Sequence, residues 1–181
     1  MSDIGDGEVP REWVADLFAL VRATPNLDWL ALTKRPKVLA RRLPPDWGAG
    51  YPNVWLGTSV ESQEYVHRAN ELLEIPARIH FLSCEPLLGP LDLTDTGRAR
   101  SKGQVEKVII SGRDFTSKHL DWVIVGGESG PHHRPMDAAW AESIVEQCRG
   151  AGVAVWYKQG SAFRPEADTR LNGREIHELP V

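Results

Sequence analysis

Two of the short apolar stretches in this sequence end in a glutamate, and a third ends in a lysine. In DWVIVGGESG, an apolar run gives way to two glycines and then to Glu128, whereas in FLSCEP the carboxylate of Glu85 follows the run almost directly. A carboxylate in such a place can bind an amine, accept hydrogen bonds from sugar hydroxyls or move a proton. Lys158, in VWYKQG, could bind a carboxylate or a phosphate. No residue is assigned as catalytic on this basis, and Glu128, Glu85 and Lys158 are the candidates.

The elements that must position these residues alternate along the chain. Apolar residues at helical spacing predict helices at about 11–23, 36–43, 61–75 and 137–149, with Trp13, Leu20 and Ala138 among the inward-facing side chains. Runs rich in branched and aromatic residues predict strands at about 26–33, 53–59, 77–83, 122–125 and 153–157. Strands that alternate with helices are typical of βα units, so the sequence predicts an α/β fold with about five parallel strands.

In a parallel sheet, the carboxyl ends of the strands lie on one rim, where ligands usually bind. The side chains that follow each predicted strand are polar, and we therefore expect them to line one cleft. Among them, Lys34, Arg35, Lys158 and Gln159 are the candidate substrate-binding residues. The rim residues are Thr33, Lys34 and Arg35; Thr58, Ser59 and Glu61; Ser83, Cys84 and Glu85; Glu128, Ser129, His132 and His133; Lys158 and Gln159.

Several of these residues also fit a structural role. Glu61 follows Thr58 and Ser59 at a predicted helix start, where a carboxylate often caps the helix. GGESG could be no more than a flexible turn, Glu85, which precedes Pro86, could simply cap a turn, and Cys84 fits a small buried residue. His132 and His133 are adjacent, so in extended chain they point in opposite directions, and no metal site is predicted.

Length and composition indicate one domain. The chain has 181 residues, of which 41% are apolar, enough for one core. We expect a disordered or loosely docked segment at 1–10, a domain at 11–162 and a polar tail at 163–181. An insertion at about 87–120 interrupts the βα rhythm and contains one apolar piece, 108–111, that could form an edge strand. Four tryptophans near predicted strands, Trp29, Trp55, Trp122 and Trp156, are interpreted as packing residues.

Charge and cysteine content narrow the class of protein. The net charge of −4 argues against a broad nucleic-acid-binding face, although it leaves room for a local basic patch. The two cysteines, Cys84 and Cys148, are too far apart in sequence for a metal-binding motif and fit a reducing compartment. No stretch resembles a membrane span or a signal peptide. The sequence therefore predicts a soluble cytoplasmic protein.

Five motifs in order resemble a phage gene-product family of unknown function, which is often encoded beside a three-cysteine-motif partner protein. They are LTKRP at 32–36, NVWLGTSVE at 53–61, FLSCEPLLGPLDL at 81–93, DWVIVGGESGP at 121–131 and VWYKQG at 155–160. Members of that family are similar to radical S-adenosylmethionine enzymes. The resemblance implies a partial (β/α) barrel and, as cofactor contacts, Thr58, Ser59, Ser83, Glu85, Gly126, Gly127 and Glu128.

The sequence departs from the family at the cluster-binding motif. Three closely spaced cysteines would bind a [4Fe-4S] cluster upstream of the first helix, but no cysteine occurs between Met1 and Leu27. The resemblance therefore implies a barrel that lacks its first βα unit, with S-adenosylmethionine as a cofactor candidate and a cluster that this chain alone cannot bind. The missing strand would leave an open sheet edge at 29–33, which predicts a homo-oligomer or a protein partner.

Three functional hypotheses follow, and the sequence does not decide whether the protein is an enzyme. The first is a phage-encoded radical-SAM-like protein that needs a partner to act on an unknown substrate, for which a nucleotide or nucleic acid is the suggestion. The second is a non-catalytic protein that uses its cleft or sheet edge to bind a host or phage protein. The third is a hydrolase or transferase that uses the acidic residues at the strand ends.

Overall fold

The structure is a computed structural model that describes residues 3–99, 105–107 and 119–180. Its helices and strands alternate through most of the chain, as the sequence predicts. In order they are α1 Arg11–Ala23, β1 Trp29–Thr33, α2 Pro36–Ala40, β2 Val54–Ser59, α3 His67–Leu73, β3 Ile79–Cys84, β4 Asp95–Ala99, β5 Val105–Lys107, β6 Trp122–Gly126, α4 Ala138–Ala151 and β7 Ala154–Gln159.

Five of the strands form one parallel sheet, in the order β1-β2-β3-β6-β7. Each of these strands pairs with the next one along the chain, apart from the excursion that carries β4 and β5. The order never reverses, so successive crossovers move in one direction across the sheet. The prediction of an α/β fold with about five parallel strands is confirmed.

Among the described residues, all four α-helices pack against one face of this sheet. One core cluster joins α1 and α2 to β1 and β2 around Phe18, Leu39 and Leu56. The other joins α3 and α4 to β3, β6 and β7 around Val123 and Ile144. Side chains alternate between the two faces of a strand, so every second residue is left on a face that carries no helix among the described residues.

The inward face of α1 differs from the prediction. Val14, Phe18 and Val21 are buried, whereas Trp13 is 62% exposed and Leu20 is 51% exposed. The buried stripe runs at i, i+4 and i+7, and Trp13 and Leu20 lie beside it because α1 contacts only one end of the sheet. Ala138, predicted to face inward at the start of α4, is also exposed.

The predicted helix at 61–75 is divided. A 3₁₀ turn at Gln63–Tyr65 precedes α3. The side chain of Gln63 reaches the insertion, donating to the Asp92 carbonyl at 3.2 Å and accepting from the Asp92 amide at 2.8 Å. This contact places the turn against the insertion. The helix predicted at 36–43 is shorter than expected and ends at Ala40.

The insertion at about 87–120 begins with residues that belong to the core and continues into a hairpin that is separate from the main sheet. Leu87, Leu91 and Leu93 are buried, and β4 pairs with β5 as a separate antiparallel hairpin. The edge strand predicted at 108–111 lies outside the described residues. In the described part of the chain, no helix is long and apolar enough to cross a membrane.

The first described residues and the carboxyl-terminal tail both contact the sheet. The carboxylate of Asp3 accepts a hydrogen bond from the Lys34 amide at 2.8 Å, just beyond β1. At the opposite edge, the amide of Tyr157 donates to the Ile176 carbonyl at 2.8 Å, so the tail lies along β7. We expected disorder or loose docking for the first ten residues, and the structure places 3–9 against β1 and α2.

Candidate functional site

The face of the sheet that carries no helix is called here the open face. Strand register places its residues in rows across the sheet. Leu30, Trp55 and Ile79 form one row, Leu32, Gly57, Phe81, Trp122 and Ala154 the next, and Ser59, Ser83, Ile124 and Trp156 the third. The amino-terminal rows are therefore apolar and aromatic, and serines enter at the carboxyl end.

Aromatic side chains form a continuous network on the open face. Trp55 meets Trp122 edge-to-face with ring centroids 5.8 Å apart, and Trp122 meets Trp156 in the same way at 6.4 Å. Phe81 lies 5.9 Å from Trp122, and Trp156 stacks on His177 of the tail at 4.2 Å. The indole nitrogen of Trp55 is buried and has no hydrogen-bond partner in the described part of the chain. Packing is thus one role of these tryptophans. Together with Phe81 they also form an apolar aromatic surface, called here the aromatic platform.

Gly57 makes room for one member of this network. A β-carbon at Gly57 would lie 2.5 Å from Cε1 of Phe81 and closer still to two other ring atoms. Only glycine therefore lets the Phe81 ring lie across β2. The ring, 2% exposed, fills the middle of the platform.

Three of the predicted site residues meet at the carboxyl end of the open face. The carboxylate of Glu85 lies over Gly126, where a β-carbon would overlap its Oε1 and lie 3.2 Å from its Cδ. The Lys158 ammonium lies 3.4 Å from the same oxygen. A bulge between the pairs Val125–Tyr157 and Gly126–Gln159 leaves Lys158 as the extra residue of β7 and turns its side chain toward Glu85.

A second charged group lies beyond β1 and β2. The carboxylate of Glu61, with a side chain only 7% exposed, pairs with Lys34 and with Arg68, whose Nη1 is 3.1 Å away. Arg68 also donates to the Ser59 carbonyl at 3.0 Å and lies over the Tyr65 ring at 4.0 Å. Glu61 is therefore held by two cations and does not act as a simple helix cap.

Glu128 is paired within its own loop. Arg134 binds its carboxylate through Nε at 2.8 Å and Nη2 at 3.2 Å, and the Arg134 amide adds a bond of 2.9 Å. These hydrogen bonds lower the pKa of Glu128 from 4.5 to about 2. Glu128 is therefore an anion at neutral pH and is poorly suited to give or take a proton there.

Gly127 and Gln159 join the loops that follow β6 and β7. A β-carbon at Gly127 would lie 2.6 Å from the carbonyl carbon of Gly160. The Gln159 side chain donates to the Gly127 carbonyl at 3.2 Å and accepts from the Glu166 amide at 2.7 Å. The side-chain groups of Gln159 therefore already have partners within the chain.

Thr58 and both cysteines lie on the helix-covered side of the sheet. The Thr58 hydroxyl donates to the Thr33 carbonyl at 2.7 Å. Burial raises the pKa of the Cys84 thiol well above its usual value and that of Cys148 to about 12. Both thiols are buried in one core cluster, so neither can reach an iron-sulfur cluster on the open face. Within the described ranges, no group of three or more acidic, cysteine or histidine side chains could hold a metal ion.

Arg35 is engaged by the segment before α1. Its Nη1 lies 3.0 Å from Asp6 and 3.8 Å from Asp3. Gly5 packs closely against Thr33, because a β-carbon at Gly5 would overlap the Thr33 hydroxyl, and it would also lie 3.0 Å from the Arg35 carbonyl oxygen. Of the two predicted cationic groups after β1, Lys34 pairs with another predicted rim residue, Glu61, whereas the ion-pair partners of the Arg35 side chain in the described part of the chain are Asp3 and Asp6.

The structure therefore collects Glu85, Gly126 and Lys158, with Ser59 and Ser83 beside them, and separates Thr58, Gln159 and Arg35 from them. Strand-end position alone could not show this, because successive residues of a strand face opposite sides. Arg68 and Arg134 were missed because they lie in helix and loop segments with no motif of their own. From the sequence, the tryptophans of the aromatic platform were interpreted only as packing residues.

The outer edge of β1 is open among the described residues. The Trp29 amide donates to the Asn53 carbonyl at 2.8 Å, so the backbone N–H and C=O groups of Trp29 and of every second residue after it face β2. The backbone N–H and C=O groups of Leu30 and Leu32 therefore face away from β2. The side chains of Leu30 and Leu32 are 48% and 41% exposed. This edge offers backbone hydrogen bonds and apolar side chains to an added strand.

Comparison with known proteins gives one match. The profile of a family described as "Protein of unknown function (DUF5131)" matches residues 1–180. No curated protein and no solved structure matches the chain.

Proposed function

The chain belongs to the DUF5131 family of proteins of unknown function, and from that premise we propose that it is a radical-SAM-like part of a (β/α) barrel that works with a partner. It binds S-adenosylmethionine on the open face. A second polypeptide, or chain outside this sequence, supplies the βα unit with the cluster-binding cysteines. The motif resemblance further supports a phage-encoded protein in the host cytoplasm, acting on a nucleotide or nucleic acid.

The observation that carries the proposal is the juxtaposition of the aromatic platform with the Glu85–Lys158 pair on one open face. S-adenosylmethionine has a flat adenine and a zwitterionic amino-acid end. Trp55 and Trp156 are half-buried and offer ring surface to adenine, Trp156 on the side opposite His177. Glu85 would accept hydrogen bonds from the ligand amine, and Lys158 would bind its carboxylate. The side chains of Lys158 and Glu85 are 51% and 21% exposed, so a zwitterion can reach both charges and compete with their ion pair.

The sheet order supports the barrel. Parallel strands that follow one another without reversal, with helices on one face only, are the arrangement found in (β/α) barrels. In that architecture the helix-free face is the barrel interior and the carboxyl ends of the strands bear the site. The open edge of β1 is where a preceding strand would pair.

The cysteines of this chain do not fit the iron-sulfur cluster. Cys84 is fully buried under α4, and Cys148 belongs to α4 itself. No step through the cluster is therefore assigned to these residues. Their own contribution is to the core between β3 and α4.

Calorimetry with S-adenosylmethionine tests the ligand. We expect saturable binding by the wild-type chain and a loss of about tenfold or more in affinity for Glu85→Gln, since a charged hydrogen bond contributes roughly 1.5–3 kcal/mol. Glu71→Gln is the matched control because Glu71 of α3 also pairs with a lysine, Lys37 of α2, on the helix-covered side of the sheet. No saturable heat with the wild type, or equal affinities for the two variants, would contradict the proposal.

Glu128→Gln distinguishes two versions of the site. If the carboxylate of Glu128 contacts ligand, as the motif resemblance implies, its removal should weaken S-adenosylmethionine binding. An unchanged affinity for S-adenosylmethionine would mean that Glu128 only binds Arg134 and that Glu85 is the acidic residue that contacts the ligand.

Anaerobic reconstitution with iron and sulfide tests the need for a partner. The chain alone should bind no cluster, because burial holds both thiols protonated. A stable iron-sulfur absorption band from the chain alone would overturn this part of the proposal.

The exposed leucines of the open edge favour one alternative, a non-catalytic protein that binds a partner strand. Leu32→Lys should then disrupt assembly while S-adenosylmethionine has no effect on the protein. Light scattering at high concentration measures the assembly. A monomer that binds S-adenosylmethionine normally would exclude this alternative for the chain alone.

A further inference from the structure

A cavity of about 530 Å³ lies between α1 and the segment that follows α2, separate from the open face. One stripe of α1 lines it through Arg11, Val14, Phe18 and Arg22. The opposite wall is the run 41–46. Because α1 and α2 cover the other side of the sheet, this cavity shares no lining residue with the open face.

The lining is strongly cationic although the chain as a whole carries a net charge of −4. Among the described residues, four arginines line the cavity, and Asp46 is the one acidic side chain in its lining. Asp46 already accepts a hydrogen bond from Tyr51 at 2.7 Å and lies 3.7 Å from Arg22. The cavity therefore carries a local excess of positive charge, although the chain as a whole is acidic.

Three of the arginines have unused hydrogen-bonding capacity. The side chains of Arg11 and Arg41 are exposed and make no hydrogen bond or ion pair with any described residue. Arg42 donates to the carbonyls of Gly7 and Val9, yet its Nε is buried and has no partner in the described ranges. A guanidinium carries five donors, and an anion with several oxygens is the group that can use them.

The start of α1 adds positive potential at the same place. Pro10 precedes Arg11 and provides no side-chain cap, so the first amides of this helix lack a side-chain acceptor. The amino end of a helix carries a partial positive charge. An anion beside Arg11 would therefore meet helix amides and guanidinium groups together.

The floor of the cavity is apolar. Val14 and Phe18 are buried beneath it, and Leu43 and Pro44 form part of the opposite wall. A free inorganic anion would gain nothing from this surface. A ligand with a phosphate group at one end and a flat or apolar body at the other would use both.

We propose that this cavity is a second ligand site, for a small organic phosphate of the nucleoside diphosphate class. Arg11, Arg41 and Arg42 bind its phosphates, and the surface of Val14, Phe18 and Leu43 contacts its body. The volume lies within the range of about 300–1,000 Å³ typical of small-molecule sites. The site does not depend on the open face, and its ligand is distinct from S-adenosylmethionine.

The test is calorimetric titration of the full chain with ADP, adenosine and inorganic pyrophosphate. ADP should bind more tightly than either of the others, because only ADP uses both the arginines and the apolar floor. Arg11→Gln and Arg41→Gln should each weaken ADP binding by about tenfold or more, by loss of a charged hydrogen bond. Arg174→Gln is the matched control, since it removes one exposed arginine beside α4 at the other end of the sheet.

Both test arginines are exposed, so the variants should keep the wild-type unfolding midpoint and the wild-type response to S-adenosylmethionine. Equal affinity for ADP and pyrophosphate would show that the cavity binds simple anions and would overturn the proposal. Undiminished ADP binding in the Arg11→Gln, Arg41→Gln double variant would also overturn it. Tight, salt-sensitive binding of a single-stranded oligonucleotide without saturable ADP binding would assign the arginines to a nucleic-acid backbone instead.

Discussion

Replacing Gly57 by alanine tests the aromatic platform through its packing. The new β-carbon would lie 2.5 Å from Cε1 of Phe81 and closer to two further ring atoms. The ring cannot simply tilt away, because it is 2% exposed and its centroid lies 5.9 Å from that of Trp122. The methyl group therefore forces Phe81 and its tryptophan neighbour to move together.

Two effects of the substitution oppose each other. Alanine restricts the unfolded chain more than glycine, which stabilises the fold by about 0.4–1 kcal/mol where the native backbone tolerates it. Overpacking a filled core site costs about 1–3 kcal/mol. Overpacking dominates because three ring atoms are affected, and the expected result is a net destabilisation of about 1–2 kcal/mol.

Equilibrium unfolding in urea, followed by tryptophan fluorescence, measures this change. Gly150→Ala is the control, since a β-carbon there meets no atom within 4 Å and alanine favours the helical backbone of α4. It should stabilise the protein by ~0.5–1 kcal/mol. Phe81→Leu removes the ring atoms nearest to Gly57. In the double variant, Gly57→Ala should therefore lower the free energy of unfolding by less than it does in the wild type. A neutral or stabilising Gly57→Ala would refute the packing described for the open face.

Three further predictions concern the groups around the platform. Because the pKa of Glu128 is lowered from 4.5 to about 2 in the folded state, its stabilisation is complete above pH 4.5 and is lost as the pH falls toward 2. The unfolding midpoints of wild type and Glu128→Gln should therefore differ at pH 7 and converge near pH 2. Cys84 and Cys148, with pKa values raised by burial, should resist iodoacetamide at pH 8 in the folded protein and react fully in guanidinium chloride, as mass spectrometry would show. Thr58→Val leaves the buried carbonyl at the end of β1 without its hydroxyl donor and should cost about 1–3 kcal/mol in urea unfolding.

The sheet was predictable because its signals are local and repeated. Short runs of branched and aromatic residues, separated by helical segments, predict each of the five parallel strands to within a few residues. The faces of α1 were not predictable in the same way. Trp13 and Leu20 satisfy helical periodicity, but only the position of the helix at one end of the sheet decides which flank is covered.

The site was predictable in composition and only partly in arrangement. Glu85 and Lys158 both follow strands, and the structure brings them together because the bulge at Lys158 and the missing side chain of Gly126 allow it. Nothing in the local sequence indicates that Arg134 would bind Glu128 or that Arg68 would bind Glu61. Such pairings depend on loop paths, which composition does not determine.

The indole signals of the tryptophans in a ¹H–¹⁵N NMR spectrum test the central claim most directly. The claim is that S-adenosylmethionine binds the open face. On titration with this ligand, the indole resonances of Trp55 and Trp156 should shift with one saturable affinity, while that of Trp13, exposed on α1, should stay in place. Unchanged signals from Trp55 and Trp156 at saturating ligand, or a shift confined to Trp13, would contradict the account.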